Sequence, residues 1–151
     1  MENFLMYMNQ EIEPNQIVWV IRKNRNNEFY LDIGECIGFK VFKDRGKENK
    51  LIWKIGVESW LNDQKLYNKI TDLNELVFFN GEDAINKIAN NPHAIILHYN
   101  KSYTFKDGLE YKVINVDKTK HGVIYTVSNN ANKTFKLANK DVNDYLTEFI
   151  Y

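Results

Sequence analysis

The alternation of short apolar runs with polar connections predicts a chain of β-strands. The run IVWVIRK at 17–23 is rich in the β-branched and aromatic residues that favour strands, and the polar NRNNE after it predicts a turn. Gly34 and Gly38 bracket Cys36, which predicts a bulge or sharp bend between two strands. Further strands are predicted at 28–33, 39–43, 51–57, 76–79, 94–99, 109–117, 122–129 and 134–137.

Two segments follow helical periodicity instead. Asn80 is a good N-cap, and the apolar residues after it lie on one face of a short helix that ends before Pro92. Near the end of the sequence, apolar residues recur at the spacing that predicts a helix over 139–150. These residues are Val142, Tyr145, Leu146, Phe149 and Ile150. Residues 1–14 fit either a short helix or an edge strand, and Pro14 ends both.

The stretch 58–75 fits two structures. The polar residues at 62–65 could turn a second, protruding hairpin, whereas the residues between Trp60 and Ile70 could instead form a short helix. Both alternatives place large apolar side chains in a segment that otherwise has the polarity of a surface.

An internal correspondence predicts two copies of one small β unit. At an offset of 72 residues, Phe39 aligns with Tyr111, and Trp53 aligns with Tyr125. The order of the predicted elements, the loop length and the aromatic positions agree between the two segments.

The offset changes to 58 for the elements that follow, so the first copy carries 14 extra residues. These are essentially 58–75, which we interpret as an insertion. The predicted units are residues 1–92, which include an N-terminal extension and the insertion, and residues 93–151, which end in a helix. A small barrel pairs its own strand edges, so two such units could lie in one chain without open edges.

The second copy carries the pattern Gly-x-x-Tyr-x-Val twice, followed by a strand and an Asp-Val pair. The positions are Gly108, Tyr111, Val113, Gly122, Tyr125, Val127, Asp141 and Val142. This pattern resembles small SH3-like β-barrel proteins of low-GC Gram-positive bacteria and their phages. The resemblance implies a mainly β (α+β) fold of two tandem SH3-like barrels, each closed by a short helix. It implies no particular activity, because small barrels serve many functions.

Charge and cysteine content limit the partners, sites and compartment that we expect for this protein. Twenty Lys and Arg balance twenty Asp and Glu, so no global field attracts the protein to nucleic acid or to an anionic membrane. Cys36 is the only cysteine, which excludes an intrachain disulfide and a cysteine metal cluster. No signal peptide or membrane span is recognisable, so we expect a cytoplasmic protein, in the producing cell or in an infected host. The abundance of Lys, Asn and Ile is typical of an AT-rich genome.

The candidate catalytic and metal-binding residues have structural explanations. The three histidines, His93, His98 and His121, lack a spacing that would bring two metal ligands onto one face. Cys36 has no adjacent base to activate it, so a small buried residue at a bend is the simpler interpretation. Acidic pairs at the predicted helix starts are explained by capping. We therefore expect no catalytic residues, no metal and no cofactor.

A basic interval offers one candidate binding surface. Residues 22–54 hold nine Lys and Arg against five Asp and Glu, and Arg45, Lys47 and Lys50 share one predicted hairpin loop near Trp53. Basic groups beside aromatic rings can hold single-stranded nucleic acid through phosphate attraction and base stacking. A solvated loop is the competing interpretation, because two acidic residues interrupt the cluster.

The 58–75 stretch offers a second candidate surface. Trp60, Leu66 and Tyr67 are large apolar residues in a polar stretch, and Trp and Tyr are enriched at the energetic centres of protein interfaces. They could also fold back onto the first unit or seal the contact between the copies.

From these features we predict a non-enzymatic binding protein whose partner is another protein. In this interpretation it is a phage or mobile-element accessory factor that binds and modulates a host protein, and an inhibitor of a defence system is one version. The alternative is a nucleic-acid-binding protein that uses the basic and aromatic residues at 45–54. Neither prediction involves a membrane.

Overall fold

The computed structural model describes residues 15–43 and 51–151. Within these ranges the protein is mostly β-structure, with two antiparallel sheets and a few short helices. The strands are β1 (Ile17–Lys23), β2 (Phe29–Lys43), β3 (Leu51–Ser59), β4 (Lys65–Lys69), β5 (Val77–Phe78), β6 (Ser102–Thr104), β7 (Glu110–Thr119), β8 (Gly122–Ser128) and β9 (Thr134–Ala138). The helices are α1 (Gly81–Ile88) and α2 (Val142–Tyr145), and single 3₁₀ turns cover Ile70–Asp72 and Asn139–Asp141.

The contacts within the chain cluster into two units. Unit 1 contains residues 15–20 and 32–79 of the described chain, and unit 2 contains residues 21–31 and 80–151. The predicted boundary after residue 92 concerns separate folding domains and stays a prediction.

The five-stranded sheet, in the order β4-β3-β2-β1-β5, supplies most of unit 1. Its buried face forms a core of small and branched apolar residues, and the opposite positions along the strands are more exposed, as in a sheet with one covered face. The core residues are Val18, Val20, Cys36, Ile55, Val57, Leu73 and Val77.

The predicted bulge around Cys36 is confirmed. The β2–β3 register shifts between Cys36 and Gly38, and Gly38 has a φ of 113°, a left-handed conformation that glycine adopts without strain. β2 therefore continues as one strand through a segment where the sequence predicted two.

Part of the 58–75 stretch belongs to the sheet of unit 1. Residues 60–64 turn a hairpin, and β4 pairs antiparallel with β3. A hairpin therefore forms as predicted, but it belongs to the sheet instead of protruding from it, and the predicted helix is wrong. The physical reason is that β4 bonds backbone groups of β3 that would otherwise stand at an open edge. The sheet thus includes residues that the internal alignment treats as an insertion.

Unit 2 contains the four-stranded sheet β6-β7-β8-β9. β7 and β8 pair down to Thr119 and Gly122, so the predicted hairpin is confirmed with a turn of only two residues. The predicted cap of α1 is also confirmed, because the Asn80 side-chain oxygen accepts bonds from the backbone N–H groups of Glu82 at 2.8 Å and of Asp83 at 3.3 Å.

Two predicted elements of unit 2 are wrong. The apolar run 94–99 forms a single bridge, from Ile95 to Tyr30, rather than a strand. The helix predicted over 139–150 is a 3₁₀ turn followed by α2, because the chain after Tyr145 bonds to the backbone of residues 104–106 instead of continuing the helix.

In the part of the chain that the structure describes, the strand pairings of neither sheet close into a barrel. None of the helices in that part is long and apolar enough to cross a membrane.

Candidate functional site

Unit 2 carries a cavity of about 480 Å³, lined by the turn between β6 and β7, by β7, by the start of β9 and by α2. Four aromatic side chains dominate its walls, and we call it the aromatic pocket. Its volume lies within the range of about 300–1,000 Å³ that is typical of ligand pockets. The four aromatic residues are Phe105, Tyr111, Phe135 and Tyr145.

The four rings pack against one another. Phe105 and Tyr111 are buried and form the floor, with ring centroids 4.3 Å apart. Phe135 stands roughly edge-on to both, at 5.7 Å from Phe105 and 5.4 Å from Tyr111. Tyr145 lies 5.6 Å from Phe135 and is 45% exposed, so it forms the accessible wall of the pocket.

Backbone bonds around the turn at 105–109 hold the floor in place. The N–H of Phe105 donates to the carbonyl of Leu109, and the N–H of Gly108 donates to the carbonyl of Phe105, both at 2.9 Å. The N–H of Lys106 donates to the carbonyl of Tyr145 at 2.8 Å, which fastens the end of α2 to this turn. The pocket is therefore built on backbone that is fixed on both sides.

Asp107 and Tyr111 form the polar centre of the site. The Tyr111 hydroxyl donates to Asp107 Oδ2 at 2.6 Å, and the backbone N–H of Leu109 donates to Oδ1 at 2.9 Å. The hydrogen bond from Tyr111 is the main cause that lowers the pKa of Asp107, and the same bond raises the pKa of Tyr111. The carboxylate stays ionised and the phenol stays protonated over the neutral range.

Charged side chains surround the aromatic walls. Lys106, Lys133 and Lys136 supply three cations, against the carboxylates of Asp107 and Asp144. Both oxygens of Asp107 already accept bonds from the chain's own groups. The mouth of the pocket therefore favours an anionic group on whatever enters it.

The structure separates the three residues predicted to bind a partner. Leu66 lies opposite Val57 on the face of β4 that covers the core, whereas Tyr67 lies opposite Gly56 on the other face and is 37% exposed. Trp60 is half-buried in the turn before β4, and its backbone N–H donates to the carbonyl of Ile33 at 2.9 Å. They do not form one surface, and their role in partner binding stays a prediction.

Arg45, Lys47 and Lys50, the residues predicted to contact nucleic acid, lie outside the described residues. Their role also stays a prediction.

The residues considered as catalytic or metal-binding candidates have contacts that give them a structural role. Cys36 is buried in the core of unit 1, and burial raises the pKa of its thiol. His98 donates from Nε2 to the carbonyl of Leu31, which places a proton on that nitrogen, and its ring packs edge-on against Tyr30 and Tyr151. Within residues 15–43 and 51–151, no three His, Cys, Asp or Glu side chains are grouped to hold a metal ion.

The aromatic pocket was not predicted from the sequence. Its walls come from a turn, two strands and a helix, and the sequence pattern places Phe135 in a predicted strand and Tyr145 on the face of a predicted helix. The available signal was Asp107 four positions before Tyr111, a spacing that brings a carboxylate and a phenol together across a tight turn.

Comparison of the chain with protein-family models, curated proteins and solved structures found no match.

Proposed function

We propose that this protein acts by binding another protein, and that the aromatic pocket receives an apolar or aromatic side chain from an acidic segment of the partner. The observation that carries the proposal is the 480 Å³ cavity with four aromatic walls. Aromatic side chains that fill such pockets are typical centres of binding energy in protein interfaces.

Binding accounts for the polar groups better than acid–base catalysis does. A general acid or base works best with a pKa near the pH at which it acts. The hydrogen bond between Asp107 and Tyr111 shifts both pKa values away from neutrality, downward for the carboxyl and upward for the phenol. The pair is suited to holding the pocket in shape rather than to moving a proton.

The charges around the pocket support an acidic partner segment. Lys133 comes just before β9, Lys136 follows Phe135 on that strand, and Lys106 precedes Asp107 in the turn. Carboxylates on either side of an inserted side chain would meet these ammonium groups, which raises the rate of association and selects the partner.

We also propose that the chain contains two SH3-like units. In each sheet a three-stranded meander is followed by a single 3₁₀ turn, which is usual in SH3-like barrels. In each unit the chain then returns to the strand that lies next to the first strand of the meander. In unit 1 β5 pairs with β1, and in unit 2 Leu146 bridges Phe105 just after β6. In this proposal β4 of unit 1 corresponds to β9 of unit 2, so the former insertion is a regular strand.

The proposed setting is the cytoplasm of a producing cell or of an infected host, where a phage or mobile-element accessory factor would modulate a host protein. The AT-rich residue usage supports this setting. An inhibitor of a defence system remains one version of it.

Selection from a library of random peptides displayed on phage tests the proposed function. We expect the immobilised protein to enrich peptides that combine one aromatic residue with several acidic residues. Calorimetry then measures the affinity of a synthetic copy of an enriched peptide for the protein and for Tyr145→Ala. Loss of the ring should weaken binding by at least about 30-fold, because hot-spot truncations cost about 2 kcal/mol or more.

Tyr99→Ala is the matched control, because Tyr99 is 66% exposed and lies outside the aromatic pocket. Its affinity should equal that of the unmodified protein. Peptides that bind Tyr145→Ala and the unmodified protein equally well would contradict the proposal, as would a library that yields no enriched peptide.

A further inference from the structure

A row of three lysines crosses the sheet of unit 1 on the face opposite the core. Lys40 on β2 lies directly opposite Lys54 on β3, and Lys54 lies directly opposite Lys69 on β4. Neighbouring strands are about 4.8 Å apart, so the row spans about 10 Å at the backbone. Like charges placed directly opposite each other destabilise a sheet. The row becomes favourable when a polyanion lies across it.

Two aromatic rings share this face with the lysines. Phe42 and Tyr67 pack edge to face with centroids 5.5 Å apart. The Lys40 ammonium lies 5.7 Å from the Phe42 ring and 5.6 Å from the Tyr67 ring, and the Lys54 ammonium lies 4.7 Å from the Phe42 ring. The rings thus hold the cations in place in the absence of a ligand.

Gly56 gives the Tyr67 ring its position over β3. A Cβ at residue 56 would lie 2.9 Å from Tyr67 Cε1 and 2.8 Å from Ile37 Cγ1, both too close for carbon atoms. With glycine there, the ring covers the middle of the sheet and 37% of the tyrosine stays exposed. We call the surface formed by Lys40, Phe42, Lys54, Tyr67 and Lys69 the lysine–aromatic face.

The carboxylates that strand alternation places on this face of the three strands lie at its end beyond the bulge. Glu35 and Glu58 are opposite each other beyond the bulge, where Lys65 is the neighbour of Glu58. Asp32 is buried and accepts a hydrogen bond from the Ser59 hydroxyl. The row itself consists of cations, whereas Glu58 is the diagonal neighbour of Tyr67 at the far end of the face.

We propose that the lysine–aromatic face binds single-stranded nucleic acid. Tyr67 and Phe42 stack bases, and Lys40, Lys54 and Lys69 contact phosphates, the combination by which single strands are held without base-specific readout. An evenly spaced row of cations suits a polymer with one negative charge per nucleotide. This surface is distinct from the loop at 45–50 and from the aromatic pocket. Nucleic-acid binding here can therefore be tested independently of the proposed function.

Fluorescence anisotropy with a labelled oligothymidine of about 12 nucleotides tests the charge contacts. Three phosphate contacts on a single strand give a slope of about −2 for the logarithm of the association constant against that of salt concentration. The triple variant Lys40→Gln, Lys54→Gln, Lys69→Gln should lose most of this slope and bind weakly at low salt. A control with Lys112, Lys120 and Lys140 changed to Gln removes the same charge from unit 2 and should bind as the unmodified protein does.

Tyr67→Ala and Tyr67→Phe test the stacking. Removing the ring should weaken binding by about 5- to 150-fold, because each stacked base contributes on that scale, whereas Tyr67→Phe keeps the ring and should bind normally. Thermal unfolding establishes that each variant is folded. The lysine variant should be at least as stable as the unmodified protein, because it removes like-charge pairs.

Three results would overturn the proposal. One is absence of oligonucleotide binding at low salt. Another is binding that does not depend on Lys40, Lys54 and Lys69. It would be seen as equal binding by their variant and its unit 2 control, or as loss of binding only when Arg45, Lys47 and Lys50 are changed to Gln. The third is a polyglutamate peptide that binds as tightly as the oligonucleotide, which would assign the face to acidic proteins.

Discussion

Two buried tyrosine hydroxyls replace strand partners for the apolar run at 94–99. The Tyr125 hydroxyl accepts the N–H of Ile96 at 2.8 Å, and the Tyr103 hydroxyl accepts the N–H of His98 at 3.1 Å. The side-chain amide of Asn139 donates to the carbonyl of Ala94. Because side chains satisfy these backbone groups, Ala94, Ile96 and Leu97 are buried without belonging to either sheet.

Tyr125→Phe should therefore destabilise the protein. The substitution keeps the ring but leaves the buried N–H of Ile96 without its acceptor, which costs about 1–3 kcal/mol. Urea unfolding measures the difference. Tyr99→Phe removes a hydroxyl from an exposed side chain and should change the free energy of unfolding very little. Equal stability of the two variants would contradict this role of Tyr125.

The same two tyrosines predict a loss of stability in alkali. Burial raises the pKa of Tyr103 and of Tyr125 far above the usual value of about 10. The unfolded chain releases these protons above pH 10 and the folded chain keeps them, so their contribution is fully present below pH 10 and is lost as the pH rises above it. Tyrosinate absorbance should show both groups ionising together with unfolding. Ionisation of all tyrosines near pH 10 in the folded protein would contradict this.

At the scale of elements, the segments predicted correctly are those with local causes. The cap at Asn80 and the hairpins of β3–β4 and β7–β8 depend on residues close in sequence. The wrong predictions lie where hydrogen bonds to residues far away in the sequence determine the local structure. Leu146 fits a helical face, but the backbone after Tyr145 bonds to residues 104–106, which are far away in the sequence. Periodicity alone contains no information about such bonds.

The position of β4 in the sheet of unit 1 gives a prediction about two adjacent residues. Leu66→Asp should destabilise the protein by more than about 1 kcal/mol, because it places a charge against buried Val57. Tyr67→Asp lies on the outer face beside lysines and should be better tolerated. Thermal unfolding of both variants measures the contrast. Similar effects would instead indicate a protruding hairpin that is not part of the sheet.

At the scale of the whole molecule, the net charge is zero, but individual surfaces carry an excess of lysine beside aromatic rings. The sequence predicted binding from Trp60, Leu66 and Tyr67, but strand alternation places Leu66 and Tyr67 on opposite faces. The aromatic pocket gathers Phe105, Tyr111, Phe135 and Tyr145 from elements up to 40 positions apart. Neither arrangement can be derived from spacing alone, because strand register and the path of the chain after α2 decide them.

The most direct test of the account is an amide chemical-shift titration of the ¹⁵N-labelled protein with an acidic, aromatic-containing peptide enriched on it. We predict that the largest changes occur at residues 105–111, 133–136 and 144–145, which line the aromatic pocket, and that Tyr145→Ala greatly reduces them at the same peptide concentration. Changes concentrated on other residues, or changes that persist undiminished in Tyr145→Ala, would contradict this prediction.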